Sequence, residues 1–93
     1  MEIEFDLVKS RKNEKGRGLS FDRVADFDFE TAHIFEDARC DYSERRFIAI
    51  GFLDSRLHVL VFSPIENGIR AISFRKANKR EIENYEKIIT ATD

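Results

Sequence analysis

Several residue types are scarce in this sequence. Its 93 residues include one cysteine, one proline, four glycines and no tryptophan. A lone cysteine makes no intramolecular disulfide, and with only two histidines it cannot complete a zinc cage. So little proline and glycine excludes collagen-like and low-complexity chains, and 42% hydrophobic residues exclude an intrinsically disordered one. No apolar run approaches the roughly 18 residues that a membrane span requires. The stretch Met1-Glu2-Ile3-Glu4-Phe5-Asp6 lacks the basic-then-apolar order of a signal peptide. These absences lead us to expect a reducing cytoplasm and no membrane contact. They also point to one domain over residues 1–93, because a chain this short holds a single core.

The charges are present in quantity and are segregated. The formal net charge is only −2. Residues 22–44, however, carry eight acids against Arg23 and Arg39, and residues 45–80 carry eight bases against Asp54 and Glu66. Arg70, Arg75, Lys76, Lys79 and Arg80 follow one another with no acid between them. Such a block permits a nucleic-acid partner that the net charge would not suggest. A solvated strand end followed by a helix start gives the same pattern.

Apolar spacing then outlines the elements. Ile3 and Phe5 alternate with acids, as in a short strand with one buried face. Asp6 is placed to cap a polar helix over about residues 7–15, which Gly16 and Gly18 stop. Ser20 is placed to cap a second short helix, with Phe21, Val24 and Ala25 at i, i+3 and i+4. A strand fits around Thr31 to Phe35. Arg46 to Phe52 and Leu57 to Phe62 read as central strands joined through Asp54-Ser55-Arg56. Asn67-Gly68 predicts a hairpin turn into a strand from Ile69 to Arg75. A last helix over about residues 78–90 carries Ile82, Tyr85 and Ile89. The expected fold class is α+β in the order βααββββα, a small antiparallel sheet with two N-terminal helices and one C-terminal helix.

The chemistry concentrates between Arg70 and Tyr85. Strict alternation along the strand sends Ser73 and Arg75 to one face, and Arg70, Ile72 and Phe74 to the other. Arg70 reaches the face of Arg75 only if a bulge intervenes. In the helix, Glu81 and Tyr85 are four residues apart and share a side. A cation, a carboxylate and a phenol can then converge, which suits metal-free RNA cleavage. A base takes the 2′-hydroxyl proton, a cation stabilises charge on phosphorus, and an acid protonates the leaving 5′-oxygen. The catalytic candidates are Arg75, Glu81, Tyr85, Lys76 and Arg70, with Glu81 as base, Tyr85 or Lys76 as proton donor, and Glu81 and Tyr85 acting as a unit. The same residues also fit an ordinary helix start, in which Glu81 bridges a base and Tyr85 is a core aromatic. His58 in its apolar strand reads as a core residue, and His33 as a surface residue. Cys40 has no obvious base beside it, and Arg45-Arg46 is either a second phosphate clamp or a polar rim. Asp26, Asp28 and Glu30 read as surface acids rather than a metal site.

Several of these stretches together resemble the BrnT family of bacterial toxins. The shared features are Lys9 and Asn13 in the first helix, Ser20-Phe21 opening the second, and Glu44 to Gly51 as a Glu-Arg-Arg-Phe-Ile-Ala-Ile-Gly strand. The most distinctive is Arg70 to Ala77, Arg-x-Ile-Ser-x-Arg-Lys-Ala, with Glu81 and Tyr85 downstream. The resemblance implies a RelE-like fold and a metal-independent endoribonuclease, with no cofactor, that cleaves cellular RNA and arrests growth. It implies a BrnA-type antitoxin with a ribbon-helix-helix DNA-binding domain, through which alone operator DNA is bound. Lys9, Arg17, Ser73, Lys79 and Arg80 are then the RNA-binding candidates. One departure stands out: members usually carry Lys-His-Gly where this chain has Gly16-Arg17-Gly18. Arginine does not titrate near neutral pH, so Arg17 replaces a possible acid–base group with a phosphate-binding one. The alternative function is a nucleic-acid- or protein-binding module of the same fold without catalysis.

Overall fold

A computed structural model describes residues 1–39 and 41–91. Strand β1 (Glu2–Glu4) leads to helix α1 (Leu7–Arg17) and then to a 3₁₀ helix (Phe21–Asp26). Strands β2 (His33–Glu36), β3 (Phe47–Leu53), β4 (Arg56–Ile65) and β5 (Gly68–Lys76) follow, and helix α2 (Lys79–Ala91) ends the described chain. The five strands form one sheet in the order β1-β5-β4-β3-β2.

The α+β class is observed, but the expected arrangement βααββββα needs correction in two places. First, the N-terminal part holds one α-helix and a 3₁₀ helix rather than two α-helices. The buried residues there are Phe21, Val24 and Phe27, spaced by three, while Ala25 is exposed. A three-residue period stacks side chains on one side of a 3₁₀ helix, whereas an α-helix would rotate Phe27 away. Second, the sheet is mixed, because β1 runs parallel to β5 with Ile3 opposite Ile69. Hairpins set antiparallel pairing for β3, β4 and β5, but no hairpin joins β1 to its neighbour. Gly68 permits the close approach: a Cβ there would overlap the Glu2 carbonyl. The antiparallel, RelE-like arrangement with paired N-terminal helices is therefore not what this chain adopts.

The sheet separates two apolar layers. One face carries Ala49, Leu60, Phe62, Ile69, Ala71 and Phe74 against Leu19, Phe21, Val24 and Phe27. The other carries Ile50, Leu57 and Val59 against Tyr85 and Ile82 of α2. Helix α1 is attached differently, since its only buried residue is Ser10. Ser10 Oγ accepts from the Phe21 backbone N–H at 2.9 Å. Asn13 Nδ2 donates to the Leu19 and Phe74 carbonyls at 2.9 and 2.8 Å. Asp6 caps its start, and Gly18 ends it at φ 68°, in the left-handed region that glycine favours. Polar stitching thus holds α1 beside β5 and leaves its lysines free to face solvent.

A β-bulge in β5 decides which side chains reach the open half of the α2 face. Val61 pairs with Ser73 and Phe62 with Ala71, so Ile72 is the extra residue. Ala71 and Phe74 consequently share the α1 face although three positions separate them. Alternation put Ile72 on the same face as Phe74, and this shift corrects that placement. Phe74 is fully buried, and Ile72 is half-buried at the edge of two surface grooves.

Candidate nucleic-acid interface

Between β2, β5 and α2 lies a cleft of about 400 Å³. Its floor is aliphatic, made by Ile48, Val59, Val61 and Ile72, and its rim carries Arg39, Arg46, Arg75, Ser73, Asn84 and Glu81. Glu81 is the one acid among these lining residues. The two ends of the cleft are set by α2 and by the loop after β2. Asn78 and Glu81 form a reciprocal cap at the start of α2: Glu81 N–H donates to Asn78 Oδ1 at 2.9 Å, and Asn78 N–H donates to Glu81 Oε1 at 2.8 Å.

That cap places the Glu81 carboxylate against Arg75. Arg75 Nη1 donates to Glu81 Oε1 and Nη2 to Oε2, both at 2.8 Å, and Nη1 also reaches the Lys76 carbonyl at 3.3 Å. The hydrogen bonds from Arg75 hold Glu81 below its ordinary carboxylate range, and those to Glu81 push Arg75 up. A guanidinium has five N–H donors. Glu81 takes the end-on pair and the Lys76 carbonyl the other Nη1–H, which leaves the side-on fork of Nε–H and the second Nη2–H without a protein acceptor among the described residues. Arg75 is thus fixed at one edge and presents a second bidentate edge of the kind that suits phosphate.

Two further guanidinium groups complete the rim. Arg39 donates to the buried Asp37 carboxylate at 2.8 and 2.7 Å, and Tyr42 Oη donates to the same group at 3.1 Å. These bonds hold Asp37 well below the usual carboxylate range. Arg39 lies near enough to Arg75 to lower its proton affinity through like-charge repulsion. Arg46 stacks over the Tyr42 ring at 4.2 Å, and its Nε is buried without an acceptor among the described residues. On the outer side of β5, a groove of about 530 Å³ is lined by Lys9, Lys12, Asn13, Arg17, Ile72 and Ser73. A smaller one of about 340 Å³ joins Arg17 to Arg75 and Lys76. Shared walls make these hollows one cationic track across the edge of β5. A cavity of about 550 Å³ between Glu36 and Arg46 is lined by Asp37, Asp41 and Glu44 and is ill suited to an anion.

The expected site residues are only partly assembled here. Arg75, Glu81 and Ser73 meet in the cleft, and Lys9, Arg17 and Lys76 line the track beside it. The bulge does turn Arg70 to the face of Arg75, but its guanidinium ends on Glu44 at 3.2 Å and Glu4 at 3.4 Å, outside the cleft. Lys79 and Arg80 are exposed in the first turn of α2 and do not line it. Tyr85 is buried at 3% exposure, stands edge-on to Phe52, and donates its hydroxyl hydrogen bond to the Thr31 carbonyl at 2.8 Å. Helical spacing put Glu81 and Tyr85 on one side of α2, but Tyr85 sits in the core layer and Glu81 at the rim. Asp26 pairs with Arg23, and Asp28 accepts from Thr31 Oγ1 and Glu30 N–H. Cys40 lies outside the described residues. Lys12 and Arg39 were missed: Arg39 stands in an acidic stretch, and only folding shows its partner Asp37 orienting it.

Two consequences can be measured. Tyr85→Phe should cost about 1 kcal/mol of stability through the lost bond to Thr31 and leave any cleavage rate unchanged; melting and rate assays on one preparation check this. His58 is 4% exposed, and its Nδ1 lies 2.8 Å from the Arg56 carbonyl, which requires an N–H there. Burial holds its imidazole below 6.5. The unfolded chain therefore takes up this proton first, so stability is full above pH 6.5 and falls as pH drops below it. His58→Gln should flatten that part of a Tm–pH curve.

This small α+β domain thus presents, at one sheet edge, guanidinium groups fixed by carboxylates, an arrangement that suits an anionic partner. The chain matches over residues 5–81 the family described as the ribonuclease toxin, BrnT, of type II toxin–antitoxin systems, and it belongs to that family. No curated protein matches it. The matched stretch contains the cationic track and Glu81 and ends before Tyr85. Membership of a type II system implies an antitoxin partner. No helix among the described residues is long and apolar enough to cross a membrane.

Proposed function

We propose that this chain is a metal-independent endoribonuclease that cleaves cellular RNA, arrests growth, and is silenced by a BrnA-type antitoxin carrying a ribbon-helix-helix domain. The observation that carries the reading is Arg75, pinned end-on by Glu81 and left with a free side-on fork beside Arg39 and Arg46. The fork holds the scissile phosphate. The 2′-oxygen attacks phosphorus as the bond to the 5′-oxygen breaks, giving a 2′,3′-cyclic phosphate and a 5′-hydroxyl end. Charge growing on the phosphorus oxygens meets fixed N–H donors, the largest contribution open to this site. The 2′-hydroxyl proton passes to Glu81, and Lys76, exposed beside Arg75, supplies one to the 5′-oxygen. Glu81 is a weak base, since Arg75 holds its pKa down. The rate therefore rests on electrostatics, and cleavage is slow.

Purified chain, labelled RNA and excess chelator test this directly. Cleavage with cyclic-phosphate ends is expected to persist, because no three potential metal-ligating side chains gather among the described residues. Loss of cleavage on chelation overturns the mechanism. A second reading, RNA binding without cleavage, is favoured by the occupied Glu81 carboxylate and the Tyr85 hydroxyl already bonded to Thr31. Stable binding with no product under any ionic condition would select it.

A further inference from the structure

We propose that the hollow between β2 and α2 is a nucleobase subsite, which takes an unpaired base of the RNA whose phosphate rests in the arginine cleft. The proposal rests on the RNA reading given above and adds the part of the substrate that carries sequence. His33 and Phe35 stand opposite Ile50 and Ile48 on β3, hence on the sheet face that α2 only partly covers. Their rings lie 5.1 Å apart and tilted by 35°, and Phe35 is 39% exposed. Helix α2 supplies the facing wall with Asn84 and Ile88, enclosing about 370 Å³. That volume falls within the roughly 300–1,000 Å³ of ordinary ligand sites.

Continuity with the cleft identifies the occupant. Phe35, Ile50 and Asn84 line both hollows, so a bound group can pass from one to the other. The cleft end is rimmed by guanidinium groups, including Arg46 with its unpaired Nε. The other end is aromatic and aliphatic, with the Asn84 amide and the Lys87 ammonium at its margin. The Asn84 side chain has no protein hydrogen-bond partner among the described residues and can both donate and accept. An occupant anionic at one end, flat and apolar on its faces, and polar along one edge is a nucleotide. Aromatic faces stack bases of any identity, and an amide reads a base edge, as asparagine does in other nucleic-acid complexes. An apolar peptide side chain would fill the walls and make no use of the Asn84 amide or the Lys87 ammonium. Only a base freed from a duplex exposes the face that Phe35 needs, so the subsite selects single-stranded RNA.

Abasic scanning tests this with the full chain. The probes are fluorescent 2′-O-methyl oligonucleotides, which bind but cannot undergo transesterification, with one base deleted at each position in turn. We expect deletion at one position to weaken binding by the parent about 5- to 150-fold, the range for loss of one stacked base. Phe35→Ala should lose the same factor on the intact probe and become indifferent to that deletion; its exposed ring makes the fold tolerant, and melting checks this. Asn84→Ala should change which base is preferred there. If the parent binds and cleaves RNA but no position responds, or Phe35→Ala responds as the parent does, the subsite is overturned while the ribonuclease reading stands. If Phe35→Ala binds every probe normally and instead weakens the complex with the co-expressed antitoxin, the hollow belongs to that protein and the proposal fails. Absence of both binding and cleavage by the parent would overturn the RNA reading and this one together.

Discussion

Arg75→Ala is expected to slow RNA cleavage by about 10²- to 10³-fold while the protein stays folded, the usual cost of removing a donor aimed at developing charge. The fold should survive because Arg75 is paired with Val59 through backbone bonds and its side chain lies at the rim, 35% exposed. Glu81 would keep its bond from the Asn78 N–H, so the helix cap remains. Arg75→Lys should recover little, because an ammonium is a point charge and cannot be held at one edge while offering a second. Glu81→Gln should be intermediate, about tenfold slower, since a base already weakened by Arg75 is removed and Arg75 loses one of its two acceptors and its fixed orientation. Single-turnover cleavage alongside thermal melting measures all three. Unchanged cleavage by a folded Arg75→Ala protein would remove Arg75 from the mechanism.

Comparison with Tyr85 separates orientation from chemistry. Sequence spacing suggested that Glu81 and Tyr85 act as one unit, which would make their deletions cost the same singly or together. In the structure their hydrogen bonds go to different layers, Glu81 to β5 at the rim and Tyr85 to Thr31 beneath α2. The expected pattern is therefore separate effects: a rate loss from Glu81→Gln, a stability loss from Tyr85→Phe, and near-additive behaviour in the double variant.

How much was legible in the sequence depended on whether a feature was local. The NG hairpin, the last helix and the Arg75–Glu81 pair all follow from residues within about ten positions of one another. The bulge at Ile72 does not, because alternation is blind to one inserted residue, and that residue decided the face of Arg70. The parallel pairing of β1 depends on Gly68, more than sixty positions away. The 3₁₀ helix was legible in principle, in the spacing of Phe21, Val24 and Phe27, had the period been read as three. Charge counting along the chain misassigned Arg39, because it averages over neighbours that folding sends elsewhere. Asp37 beneath it turns a residue of the acidic stretch into part of a basic rim.

Raising salt from 50 to 200 mM should weaken RNA binding by about 50- to 130-fold, from a slope of about −0.7 per phosphate neutralised and about four to five phosphates held. The track offers Lys9, Lys12 and Arg17 on α1, Lys76 and Arg75 on β5, and Arg39 and Arg46 across the cleft. Fewer phosphates than cations are counted, because Glu81 and Asp37 already neutralise much of Arg75 and Arg39. Arg46 and Lys12 have no acid partner among the described residues, so each should contribute a full increment. Arg46→Gln and Lys12→Gln are therefore each expected to reduce the slope by about 0.7, whereas Lys79→Gln, outside the track, should leave it unchanged. The contrast tests position rather than charge, since each variant alters net charge equally. Titration of an uncleavable oligonucleotide at several salt concentrations gives the slopes. Equal responses from Lys12, Arg46 and Lys79 would mean that the chain's diffuse field, and not this track, holds the RNA.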